Sequence, residues 1–145
     1  MKVGVTGTRE GLAPKQVVSL FSTMIELASA FGGVELHHGD CVGADATAHD
    51  LAISLGWKVV IHPPTKDTAR AFKVGTETRS PAPYLARNRV IVDEADVLIV
   101  LPKQESRPVA DVRGGTWYTY RYAVKQRSCA TVIIWPNGNV EAEAP

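Results

Sequence analysis

The chain has 145 residues, enough for one core of ordinary size and too few for two. Apolar residues make up 45% and charged residues 21%, values that argue against disorder. A net charge of +1 argues against a nucleic-acid binder held by bulk charge. The charge is unevenly spread. Between Lys58 and Val92 seven Lys/Arg face two acids (Asp67, Glu77), so this stretch carries +5 and the remainder −4. Such a local field favours anionic ligands, unless the residues form only a solvated loop. No apolar run approaches the ~20 residues of a membrane span, and Met1–Val5 reads straight into a strand rather than a leader. Cys41 and Cys129 show no CxxC spacing, as expected for a reducing cytoplasm. His37, His38, His49 and His62 have no companions at metal-ligand spacing, so neither a metal nor a cofactor is expected.

In chain order, Lys2–Thr6 is a short β-rich run ending at Gly7. Pro14 suits a first helical turn, and Val17, Leu20, Phe21, Met24, Ile25 and Leu27 recur at helical spacing until Gly32-Gly33. Val34–His38 predicts a second strand, closed by Gly39. A helix follows from Ala44 to Leu55, with Gly56 as its C-terminal stop. Trp57–Ile61 is a third strand, ended by Pro63-Pro64. Residues 65–83 show no period and read as a long loop or mobile lid. Tyr84–Ala95 fits a helix, and Asp96–Leu101 is apolar enough for a strand buried on both faces. A second polar loop spans Lys103–Arg113. Gly114-Gly115-Thr116 then opens a helix to Arg127, Ala130–Trp135 is the last strand, and Asn137-Gly138 turns into a polar tail.

Alternating strands and helices imply parallel pairing through helical crossovers. The expected fold is α/β: a Rossmann-like, doubly wound, mostly parallel sheet of about five strands in a three-layer α/β/α arrangement. Residues 1–136 form one domain and 137–145 a tail. In such sheets ligands sit beyond the strand carboxyl ends where the strand order reverses. With the usual order the first and fourth strands flank that point. The loops Gly7-Thr8-Arg9-Glu10-Gly11 and Arg113-Gly114-Gly115-Thr116 then face one crevice.

Three segments carry chemistry. In Gly114-Gly115-Thr116 two glycines admit a phosphate to the backbone, the helix N-terminus attracts it, and a hydroxyl adds a donor. In Gly39-Asp40-Cys41-Val42-Gly43-Ala44-Asp45 the glycines permit a tight loop, and Asp45 suits either capping or ligand contact. In Arg87-Asn88-Arg89 the two arginines lie about 200° apart on a helix, so only one can face a given site.

Together these motifs, with Gly4-Val5-Thr6-Gly7-Thr8-Arg9, Ala48-His49 and Ala95-Asp96, resemble the SLOG superfamily. That group unites Smf/DprA DNA-processing proteins, LOG phosphoribohydrolases, molybdenum-cofactor carriers and stand-alone YspA-like proteins. The likeness runs to about Trp135 and is greatest to the YspA-like branch, whose first loop Gly7, Thr8 and Arg9 match. The resemblance implies that Gly114, Gly115 and Thr116 form the phosphate loop. It places Arg87, nine residues before Asp96, where the phosphoribohydrolases use an arginine on substrate. Gly43 and Asp45 match the glycine loop of the DNA-processing proteins. Cytoplasmic homo-oligomers, dimers or tetramers, are also implied, with the aromatic run Trp117–Tyr122 either a contact or core. One departure is decisive for chemistry. LOG enzymes carry a glutamate shortly after their glycine loop, whereas no Asp or Glu occurs here from Val112 to Val140. Glycosidic cleavage needs such a carboxylate, and Glu10, Asp40, Asp45 and Asp111 are the available substitutes.

The expected function is therefore binding of a nucleotide or nucleotide-derived ligand, as sensor, carrier or sequestering module. The expected ligand contacts are Gly7, Thr8, Arg9, Gly39, Asp40, Gly43, Ala44, Asp45, Arg87, Asn88, Gly114, Gly115 and Thr116. The alternatives are an N-glycosidic-bond hydrolase or transferase with a relocated carboxylate, and DprA-like binding of single-stranded DNA through the basic stretch.

Overall fold

The computed structural model describes residues 1–109, 114–126 and 129–145. Seven strands form one sheet: β1 (Lys2–Gly7), β2 (Glu35–His38), β3 (Lys58–Ile61), β4 (Glu77–Thr78), β5 (Val97–Leu101), β6 (Ala130–Ile134) and β7 (Val140–Glu143). Their order is β4-β3-β2-β1-β5-β6-β7, and every pairing is parallel except β6 with β7. The four helices are α1 (Pro14–Ala30), α2 (Ala44–Ser54), α3 (Tyr84–Glu94) and α4 (Gly115–Gln126). The Rossmann-like three-layer expectation holds, with seven strands instead of five.

Strand alternation splits the core into two layers. Val97, Ile99 and Leu101 of β5 join Leu20 and Met24 of α1 and Ala44, Ala48 and Ala52 of α2. Leu98 and Val100 turn the other way, onto Val92 of α3 and Trp117 and Ala123 of α4. The continuous apolar run of β5 is thus the signature of a strand covered on both faces. Gln16, 1% exposed, crosses the first layer and donates to Pro102 O and Ile134 O, both at 2.9 Å, fixing α1 to the ends of β5 and β6.

Both additional strands lie at sheet edges. Residues 65–83, read as a loop or lid, instead run along β3: Thr76 N donates to Val59 O and Arg79 N to Ile61 O, both at 2.8 Å. Two residues then register as β4. The tail pairs antiparallel with β6, Thr131 opposite Glu143 and Ile134 opposite Val140. No helix among the described residues is long and apolar enough to cross a membrane.

Candidate functional site

The strand order reverses between β1 and β5, which pair from Val3–Val97 to Gly7–Leu101. Beyond their carboxyl ends lies a cavity of ≈ 520 Å³, within the range of small-molecule sites. Its wall comes from the loop after β1, the loop after β2, the first turn of α3, the loop after β5 and the first turn of α4. Ten of the thirteen expected residues line it; Asp40, Gly43 and Ala44 do not.

The loops after β1 and β2 are welded together. Thr8 N donates to Leu101 O and Ala44 N to Thr8 O, both at 2.9 Å. Gly43 has φ +87°, and a Cβ there would stand 2.5 Å from Thr8 O, so this position requires glycine. Gly7 is equally tight, with Ala44 Cβ 2.5 Å from where its own Cβ would be. Asp40, fully buried, accepts from Arg70 Nε and from the Lys73 backbone at 2.9 Å each. It anchors the 65–83 segment rather than facing the cavity.

Arg87 is only 4% exposed. Its Nη1 donates to Gly39 O and to His62 O, the latter at 2.9 Å, and its Nε to Asn88 Oδ1 at 2.8 Å. A Cβ on Gly39 would meet the guanidinium at 2.5 Å. Arg87 therefore ties the ends of β2 and β3 while still forming cavity wall, whereas Arg89 is exposed, as the helical spacing predicts. Arg9 is exposed at the rim, its Cζ 4.4 Å from the Tyr84 ring centroid; Arg87 Cζ lies 5.2 Å from the same ring. Tyr84 thus supplies an aromatic face between two cations, a feature sequence reasoning missed because a single Tyr at a helix start carries no signal.

Asp45, 7% exposed, accepts from Gly39 N at 3.1 Å and Cys41 N at 3.2 Å, so it closes its own loop and also borders the cavity. Burial pushes its pKa up to about 6, against the pull of Arg87 and the two backbone donors. Of the four candidate carboxylates, Asp45 and the exposed Glu10 line the cavity, Asp40 is committed elsewhere, and Asp111 lies outside the described residues, as does Arg113.

Gly114, Gly115 and Thr116 bring the first turn of α4 to the cavity. Among the described residues no atom stands within 4 Å of a Cβ built on Gly114, and Asn88 Nδ2 at 3.4 Å is the nearest to one on Gly115. The first amides of a helix have no intrahelical acceptor, so this turn presents donors and partial positive charge. Trp117 beneath it is core, 4% exposed, with Nε1 donating to Gln104 Oε1 at 3.1 Å and its ring edge-to-face with Tyr120 and tilted against Trp135.

Three of the seven cations of the basic stretch are held in ion pairs. Arg70 pairs with Asp40, Lys73 with Asp50, and Arg79 with Glu77 and Glu94. Of the described residues lining the cavity, none comes from 65–83.

No protein-family model matches the sequence, and no curated protein does. Solved structures do. The molybdenum cofactor binding protein of the phototrophic bacterium Rippkaea orientalis superposes with a TM-score of 0.67 at 19% identity, over 91% of this chain and 74% of that one. DNA processing protein A of Streptococcus pneumoniae gives 0.65 at 20%, over 91% and 49%, so this chain spans about half its length. The same protein from Helicobacter pylori, described for its single-stranded DNA binding mode, gives 0.61 at 21%, over 92% and 64%. The chain shares their fold. These neighbours come from groups that the sequence motifs resemble, and at such identities the likeness concerns architecture alone.

Proposed function

We propose that this chain is a SLOG-type domain, nearest the YspA-like branch, that binds a nucleotide or nucleotide-derived ligand as a sensor, carrier or sequestering module. The observation that carries the reading is the first turn of α4, which borders the same cavity as Arg9 and the Tyr84 ring. A phosphate has backbone donors and a helix terminus to meet, and a base has the exposed Arg9 guanidinium over Tyr84 to stack on. The R. orientalis neighbour, a cofactor binding protein, supports a small-molecule ligand. The resemblance further implies a cytoplasmic homo-oligomer, which light scattering tests.

The test is a thermal-shift screen of mono-, di-, cyclic and dinucleotides, with base release followed in the same wells. Binding at about 100 times Kd raises stability by roughly 2.7 kcal/mol, a readily measured shift. A shift without base release is the expected result. No shift with any nucleotide overturns the reading.

Asp45 supports a second reading. A carboxylate with its pKa near 6 in the cavity wall suits acid–base work, so an N-glycosidic hydrolase or transferase is the alternative. Turnover abolished by Asp45→Asn with binding retained would establish it. Single-stranded DNA binding, suggested by the DNA-processing neighbours, draws less support because Arg70, Lys73 and Arg79 are engaged internally. Oligonucleotide affinity falling steeply with salt would restore it.

A further inference from the structure

Away from the cavity, three residues distant in sequence meet between the sheet and the C-terminal end of α3. His37 is on β2, His62 directly follows β3 and Glu94 ends α3. Both histidines are buried, and Glu94 is 27% exposed. His37 Nδ1 lies 2.9 Å from His62 Nε2 and 3.8 Å from Glu94 Oε2, and the His62 and Glu94 atoms are 3.6 Å apart.

We infer that this cluster is a binding site for a divalent transition-metal ion of the zinc class, held by His37 Nδ1, His62 Nε2 and Glu94 Oε2. The first argument is metric. A circle through three atoms at those separations has a radius of about 2.0 Å, so one point is equidistant from all three at the length of a Zn–N or Zn–O bond, about 2.0–2.2 Å. Two imidazoles and a carboxylate are the donor set that suits zinc, with a fourth position left for water.

The second argument is proton accounting. Glu35 Oε1 lies 2.6 Å from His37 Nε2, so that nitrogen carries the proton and Nδ1 presents a lone pair. Without a cation, His62 Nε2–H can satisfy His37 Nδ1, but Glu94 Oε2 is then buried with no hydrogen-bond partner among the described residues. A metal ion satisfies all three atoms at once.

The surroundings are those of a built site. The carboxylate of Glu35 behind His37 is the outer-shell partner that fixes a metal-bound imidazole. Glu94 is held from its other oxygen by Arg79 Nη2 at 3.1 Å, and Arg79 in turn by Glu77 at 2.9 Å. A metal here would join β2, the end of β3 and α3 to the β4 edge.

The test uses the full chain, stripped with chelator and titrated with Co²⁺ and then Zn²⁺. One Co²⁺ per chain is expected, with the visible absorption of a nitrogen- and oxygen-ligated ion that Zn²⁺ displaces. Glu94→Gln, which keeps the shape and removes the charge, should weaken Zn²⁺ at least 10-fold. Glu35→Gln, acting through His37, should weaken it 10- to 100-fold. Equal affinity in wild type and Glu94→Gln overturns the inference. So does a thiolate charge-transfer band, which would assign the ion to cysteine. Should Glu94→Gln not fold, the wild-type spectrum and stoichiometry decide alone.

Discussion

Two of the three glycine-bearing loops that border the cavity do opposite things. In the loop after β2, the space beside Gly39 is filled by Arg87 and that beside Gly43 by Thr8 O. At the start of α4, no atom of the described residues stands within 4 Å of a Cβ on Gly114, and among them only Asn88 Nδ2 approaches one on Gly115. In sequence both read as close-approach loops. In three dimensions the first is packed against the protein itself, and the second leaves room for something else. Glycine marks a place where an atom must come near; it does not say whose atom.

Four measurements would break or sharpen that contrast. The largest effect belongs to the packed loop. Gly43→Ala combines a positive φ with a clash against Thr8 O, and should destabilise by about 3 kcal/mol, read by urea unfolding. Unchanged stability would mean that the two loops are not welded.

Asp45, inside the same loop, should give a pH signature. Its pKa in the folded chain, about 6, lies above that of an unfolded aspartate, so the folded state holds the proton longer. Stability from this group is full below pH 4 and is lost as the pH rises toward 6. Asp45→Asn lacks that loss and should gain about 2–3 kcal/mol on the wild type between pH 4 and 6, then hold steady. A pH-independent difference would show an ordinary, solvated carboxylate.

For the open loop, stability and binding should part company. Gly115→Ala should leave unfolding within about 0.5 kcal/mol of wild type, since alanine suits a helix and its Cβ is unobstructed. On the proposed function its affinity for the best nucleotide in the screen should nonetheless fall about 10-fold, because the methyl would take the space of a phosphate. Calorimetric titration separates the two. Arg9→Ala is the smallest perturbation: stacked on Tyr84 and exposed, it should cost under about 1 kcal/mol of stability. Loss of nucleotide affinity with so small a structural cost would mark Arg9 as a ligand contact, and unchanged affinity would remove it from the site.

Much of the architecture was legible in the residues. The apolar run 96–101 announces a two-sided strand, Pro14 and Gly56 mark helix ends, and the reversal between β1 and β5 is the one that the usual strand order of such sheets supplies. What escaped lay at the edges and across long separations. Val140-Glu141-Ala142-Glu143 alternates over only four residues, three of them exposed, and so short an edge strand carries little signal. β4 is two residues long, too short for a period. Residues 65–83 lack periodicity and read as a loop or mobile lid; they hold little regular structure, yet Asp40 and the backbone of β3 bind them down. The histidines appeared solitary because 25 and 32 residues separate His37 from His62 and His62 from Glu94, and only parallel pairing of β2 and β3 with α3 above them closes that gap. Asp40, Gly43 and Ala44 were grouped with the ligand contacts for the same reason: adjacency in a motif does not reveal which way each residue turns.

The last strand has a consequence for handling the protein. β7 occupies the outer edge of β6, and Arg107 binds both Glu141 and Glu143, which puts charge along the final rim of the sheet. Were residues 140–145 removed, β6 would offer an unpaired row of amides and carbonyls beside the buried Ile133 and Ile134. Such an edge is a template for another strand, so the shortened chain should assemble edge to edge and precipitate while its remaining core stays intact.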